Sequence, residues 1–93
     1  VELSGPALGL FELESIARGM VVADALVKRA AVRLALAEAV TPGKYLIVFT
    51  GPVAEVEESF KAAEAAAGPM VIDRLLLPQL AAGVARALSG KAD

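Results

Sequence analysis

Apolar and polar residues change their period along this chain, and each change marks an element. Ala7–Glu14 (ALGLFELE) alternates and predicts a strand, with Leu8, Leu10, Glu12 and Glu14 on one face and Phe11 and Leu13 on the other. Ser15 is placed to cap a helix. From Ile16 to about Arg29 the period becomes helical, with Ile16, Met20, Ala23, Val27 and Ala30 on the expected core stripe. Val32–Ala39 alternates again as a second strand. Thr41-Pro42-Gly43 turns the chain into a third strand, Lys44–Thr50.

Gly51-Pro52 breaks that strand and opens a second helix, whose first turns carry Glu55, Glu57 and Glu58, where the helix dipole favours negative charge. Val53, Val56, Phe60 and Ala63 form its expected core stripe, and Gly68-Pro69 ends it. Met70–Leu77 predicts a fourth strand, stopped by Pro78. Leu80, Val84 and Leu88 mark a short third helix weakened by Gly83, ahead of a frayed tail at Ser89–Asp93. The order β-α-β-β-α-β-α makes this an α/β (α+β) chain with a ferredoxin-like core, an antiparallel sheet and a C-terminal helix. One domain over residues 6–89, with flexible termini at 1–5 and 90–93, accounts for the length. Both main helices then lie on one face of the sheet, so the terminal helix or a neighbouring subunit must cover the other.

Composition sharpens this. Hydrophobic residues make up 57% of the chain, and the mean hydropathy is +0.65. A chain of this size buries only about 60–65% of its extended surface when it folds alone. The surplus needs a subunit interface. On a helical wheel with Arg18 at 0°, Val21 falls near ~300° and Val22 near ~40°, inside a charged arc shared with Asp24, Lys28 and Arg29. We therefore expect Val21, Val22 and Arg29 at a subunit interface, with Lys28 in or beside the contact.

Several kinds of chemistry are excluded. The chain has no His and no Cys, which removes Cys/His zinc sites, disulfides, thiol nucleophiles and a Ser-His-Asp triad. We expect no metal, no cofactor and no catalytic residue. The net charge is −2, without a basic stripe, which argues against nucleic acid. No apolar run approaches the ~20 residues of a membrane-spanning helix. Gly43-Lys44 is not a phosphate loop, because Glu38 stands where the motif needs Gly and Tyr45 where it needs Ser or Thr.

Residues 7–32, ALGLFELESIARGMVVADALVKRAAV, resemble the opening of a bacterial microcompartment (BMC) shell protein domain. The matching features are Ala-Leu-Gly-Leu at 7–10, Glu12 at the strand end, and Ala23-Asp24-Ala25-Leu26-Val27-Lys28. The likeness runs on through the 39–44 loop, the strand Tyr45–Phe49, Gly51, the acidic helix and Val71–Leu77. The wording SIARG, TPGKYLIVF and VAEVEES is most similar to the first half of tandem-domain shell proteins. This resemblance implies a structural, non-enzymatic subunit of hexameric or pseudohexameric discs, tiled with other shell proteins around sequestered enzymes in the bacterial cytoplasm. It implies that Val40, Thr41, Pro42, Gly43 and Lys44 line a central pore for small metabolites, Lys44 biasing its mouth toward anions. It also implies that Lys28, beside Asp24, sits where neighbouring discs meet.

The chain departs from the family's single-domain pattern in two places. Thr-Pro-Gly replaces the usual Gly-Ser-Gly of the pore loop, and Pro42 removes one backbone donor. Pro78-Gln79-Leu80 supplies neither the Arg nor the His of the usual Arg-Pro-His. The alternative reading is a small oligomeric ligand-sensing regulatory domain of ferredoxin-like fold.

Overall fold

The computed structural model describes residues 6–79. Within them the order is β1 (Ala7–Leu13), α1 (Ile16–Arg29), β2 (Arg33–Thr41), β3 (Lys44–Gly51), α2 (Val53–Ala67), a 3-10 turn (Gly68–Met70) and β4 (Val71–Leu77). The strands form one antiparallel sheet in the order β2-β3-β1-β4. This is the ferredoxin-like arrangement that the element order predicts. The expected third helix at Leu80–Leu88 and the tail beyond it lie outside the described residues.

Local chemistry sets the boundaries. Ser15 Oγ accepts from Arg18 N at 3.0 Å and caps α1, a contact worth about 1 kcal/mol. Pro52 stands at the N-cap of α2, and its carbonyl accepts from Val56 N at 2.9 Å. Gly68 closes α2 with φ 57°, a backbone angle that glycine reaches without a Cβ clash. Strand β2 starts one residue later than its pattern predicts and runs two residues further.

The core lies between the sheet and the two helices. Phe11, Leu13, Ile47 and Phe49 from the sheet meet Val22 and Leu26 of α1 and Val56 of α2, all at zero exposure. Phe11 stacks near-parallel to Phe49 with ring centroids 6.4 Å apart, and meets Phe60 at 4.7 Å. Burying each such side chain stabilises the fold by about 2–3 kcal/mol. Gly9 is required by space, because a Cβ there would lie 2.3 Å from the Phe49 ring.

Helix α1 is rotated from the face its hydropathy predicts, whereas α2 keeps Val56, Phe60 and Ala63 of its expected stripe toward the core. The buried positions of α1 are Gly19, Val22, Ala23 and Leu26. Of its expected stripe only Ala23 is buried; Ile16, Met20 and Val27 are exposed. The reason is Tyr45, whose ring lies against Gly19 so closely that a Cβ there would meet it at 2.3 Å. The small residue, not the large ones, faces the sheet. On α2 the buried set is Val56, Ser59, Ala63 and Ala67, while Val53 is exposed and Phe60 half-buried. Ser59 Oγ donates to Leu26 O at 2.8 Å. That carbonyl is among the last four of α1, which have no partner within their own helix.

Candidate functional site: the hairpin tip and the far end of the first helix

The β2–β3 connection is a two-residue turn, Pro42-Gly43, between the paired residues Thr41 and Lys44. Gly43 has φ 81° with nothing within 4 Å of a notional Cβ. A Pro-Gly pair with the glycine at this angle is the type II turn chemistry. The register shifts between Ala39 and Thr41, so Val40 is an extra residue on β2, a bulge that bends the end of the hairpin. Residues 38–44 are all exposed. Every position assigned to a pore by resemblance therefore shares one projecting tip: Val40, Thr41, Pro42, Gly43 and Lys44.

The other assigned residues lie away from it. Gly19 packs on Tyr45, one residue past the tip, while Gly51 at the far end of β3 lies against Ala31 and Val32, just past α1. Helix α1 thus runs from the tip end of the sheet to the opposite end. Lys28, in its last turn, is about 14 Å further along the helix axis than Gly19. Lys28 Nζ pairs with Asp24 at 2.8 Å, both side chains well exposed. Such a surface pair adds little stability and leaves the ammonium at the surface.

One of the expected interface residues is misplaced. Val22 has zero exposure and belongs to the core. Of the charged residues around it, Arg18 and Arg29 reach across the seam between the helices. Arg18 Nη1 donates to Ala66 O at 3.2 Å, and Arg29 Nη2 pairs with Glu58 at 3.0 Å. The Arg29 guanidinium, helped by Lys61, holds the Glu58 carboxyl below its ordinary range. Ala31 N donates to Glu55 at 3.1 Å. Glu55 and Glu58, expected only to suit the dipole of α2, also tie down the turn after α1. Val21 remains exposed on the crest of α1.

Sequence reasoning missed a row of carboxylates. On the sheet face away from the helices, Glu38 pairs with Leu46, Leu46 with Glu12, and Glu12 with Asp73. Three carboxylates thus cross all four strands in one line. Thr41 and Lys44 occupy the same face one row nearer the tip, about 7 Å away. The next row away from the tip is wholly apolar: Leu36, Val48, Leu10 and Leu75. Strand pairing brings Glu12 to Asp73 over a separation that no local motif reports. Beyond the apolar row, Thr50 is buried with its hydroxyl unpartnered among the described residues. Among those residues no helix is long and apolar enough to cross a membrane.

Comparison with known proteins places this geometry. Residues 7–80 match the model of the BMC domain. A bacterial microcompartment shell protein PduT from Citrobacter freundii is 40% identical over 84 residues, covering 90% of this chain and 46% of that protein. The crystal structure of a microcompartment protein from Desulfitobacterium hafniense is similar with a TM-score of 0.82 at 40% identity, covering 94% of this chain and 48% of that one. The chain spans about half the length of each of these two relatives.

Proposed function

The chain belongs to the BMC domain family, and from that premise we propose that it is a structural subunit of a bacterial microcompartment shell. Its role is to build a disc and to line a hole, not to catalyse. Copies associate around an axis with their hairpin tips inward, as a hexamer or a pseudohexamer, and the discs tile with other shell proteins. Val40, Thr41, Pro42, Gly43 and Lys44 then surround a narrow opening for small metabolites. Lys28, with Asp24, stands at the outer rim where discs meet, and the assembly sits in the bacterial cytoplasm.

One observation carries this reading. The projecting tip and the Asp24–Lys28 pair lie at opposite ends of α1, as an axis and a rim require. A ring multiplies whatever the tip presents, because like charges around a narrow opening sum their fields. Lys44 gives a cationic lip, and the row of Glu38, Glu12 and Asp73 behind it opposes that charge on the same sheet face. The anion bias expected from Lys44 alone is therefore confined to the lip.

Native mass spectrometry and electron microscopy of the chain at micromolar concentration test the proposal. Rings that extend into flat sheets or tubes are expected. A compact monomer would overturn it, and a ring that binds a small ligand saturably without forming sheets would favour a sensory domain. Lys28→Ala is expected to abolish sheets while leaving rings intact.

A further inference from the structure

We propose that Glu38 and Glu12 set the charge of the opening by drawing Lys44 back from it, so that the passage admits small uncharged polar molecules and turns anions away. This rests on the ring reading above and deepens it. The cationic lip belongs to the single chain, and closing the ring withdraws it.

The sheet register brings the three groups together. On the face away from the helices, Leu46 follows Lys44 by two residues on β3. Its partners on either side are Glu38 of β2 and Glu12 of β1. Lys44 therefore stands diagonally between two carboxylates, one row nearer the tip. The rows are about 7 Å apart, a step that a lysine's four-carbon stem can span. Turned back along β3, the stem covers the half-buried Leu46 and brings the ammonium level with both carboxylates. Turned the other way, it carries the ammonium to the tip. In the single chain Lys44 makes no ion pair among the described residues.

The carboxylate row needs a cation. Glu12 lies directly across from Asp73, and like charges so placed repel. Asp73 Oδ1 accepts from Arg74 N at 2.8 Å, which leaves its charge unpaired. The other described cations are committed elsewhere. Arg18 reaches Ala66 O, Lys28 pairs with Asp24, Arg29 and Lys61 pair with Glu58, and Arg74 pairs with Glu64 of α2. Arg33 stands across from Thr50, at the end of β3 away from the tip. Among the described residues, Lys44 is the cation left for the row.

Ring closure decides between the two positions. Ammonium groups converging on an axis repel one another, and their fields sum in a narrow opening. One row back, the same groups stand further apart and each meets two carboxylates. The lip left behind is the Thr41 hydroxyl and the Pro42-Gly43 backbone, groups that hydrogen-bond neutral molecules and carry no net charge. Around that lip every copy sets three carboxylates, Glu38, Glu12 and Asp73, against one ammonium. An anion approaching this face meets a repulsive field.

Calorimetric titration of the assembled ring with inorganic triphosphate at low ionic strength tests the proposal, with ring mass checked by native mass spectrometry. The unmutated ring is expected to show no saturable binding. Glu12→Gln combined with Glu38→Gln frees the ammonium groups, and triphosphate should then bind saturably with a gain in affinity of at least about 10-fold. Adding Lys44→Gln to that pair should abolish the binding again. Glu57→Gln removes one carboxylate from the exposed side of α2, on the other side of the sheet, and should leave the ring as inert as before. Saturable binding by the unmutated ring, or a double variant that gains no more than Glu57→Gln, overturns the assignment while leaving the ring reading standing. If the double variant does not assemble, Lys44→Gln alone decides: triphosphate uptake should not fall, and a fall overturns the assignment. An unmutated chain that forms no ring overturns both.

Discussion

Gly19 and Gly43 stand on either side of Tyr45, and they are glycine for opposite reasons. Gly19 has ordinary backbone angles and no room: the Tyr45 ring fills the place of its Cβ. Gly43 has all the room it needs and an angle, φ 81°, that side chains rarely adopt. One marks a region fixed by packing. The other marks a region fixed by backbone geometry alone, where neighbouring side chains touch little of their own chain. The first kind of region makes a fold. The second is free to present whatever an assembly requires.

This contrast can be broken at its strongest point. Gly19→Ala, and equally Gly9→Ala against Phe49, force a methyl into a filled space and should destabilise by about 3 kcal/mol, read as a drop in the urea midpoint. If either substitution is neutral, the close approach of α1 to the sheet is wrong. Ser59→Ala should cost about 1–3 kcal/mol by the same measurement, because the buried Leu26 carbonyl loses its donor. Gly43→Ala sharpens the other side. It should cost about 1–2 kcal/mol from strain alone, and Gly43→Asn less, since asparagine tolerates this angle. A Gly43→Ala loss as large as that at Gly19 would erase the distinction.

The smallest effect belongs to the seam between the helices. Glu58 should titrate below its ordinary value of 4.5, chiefly through its hydrogen bond to Arg29. A carboxylate with a lowered folded-state pKa stabilises above the unfolded value, and that contribution is lost as pH falls through the lowered one. Carbon-detected NMR of the Glu58 carboxyl checks this, and Arg29→Gln should move the value back up.

Much of this was legible in the sequence, and the remainder has physical causes. Boundaries were readable where glycine, proline and a capping serine punctuate the chain: Ser15, Pro42-Gly43, Pro52 and Gly68-Pro69 all fall at element ends. The four-strand order followed from the element order. The face of α1 did not. Ile16, Met20 and Val27 are more hydrophobic than Gly19 and Ala23, so hydropathy points the larger stripe inward, whereas Tyr45 needs the smaller one. A glycine in mid-helix, with an aromatic residue at the start of β3, was the available signal. Ser59 was overlooked because it is polar, though its spacing with Ala63 and Ala67 forms a small-residue stripe of the kind close helices share. The carboxylate row was invisible because Glu12 and Asp73 are distant in sequence and meet only through β1–β4 pairing.

The strand order also has a consequence in time. Strand β1 is the first element described and sits inside the sheet, between β3 and β4. A ribosome supplies about 5–20 residues per second. Leu8 and Leu10 therefore wait seconds for Leu77 and Leu75, their partners on β4. During that interval β1, α1, β2, β3 and α2 can form a three-stranded intermediate with one long apolar edge open. For a protein whose neighbours on the polysome are copies of itself, the closing of that edge by β4 separates folding from premature association.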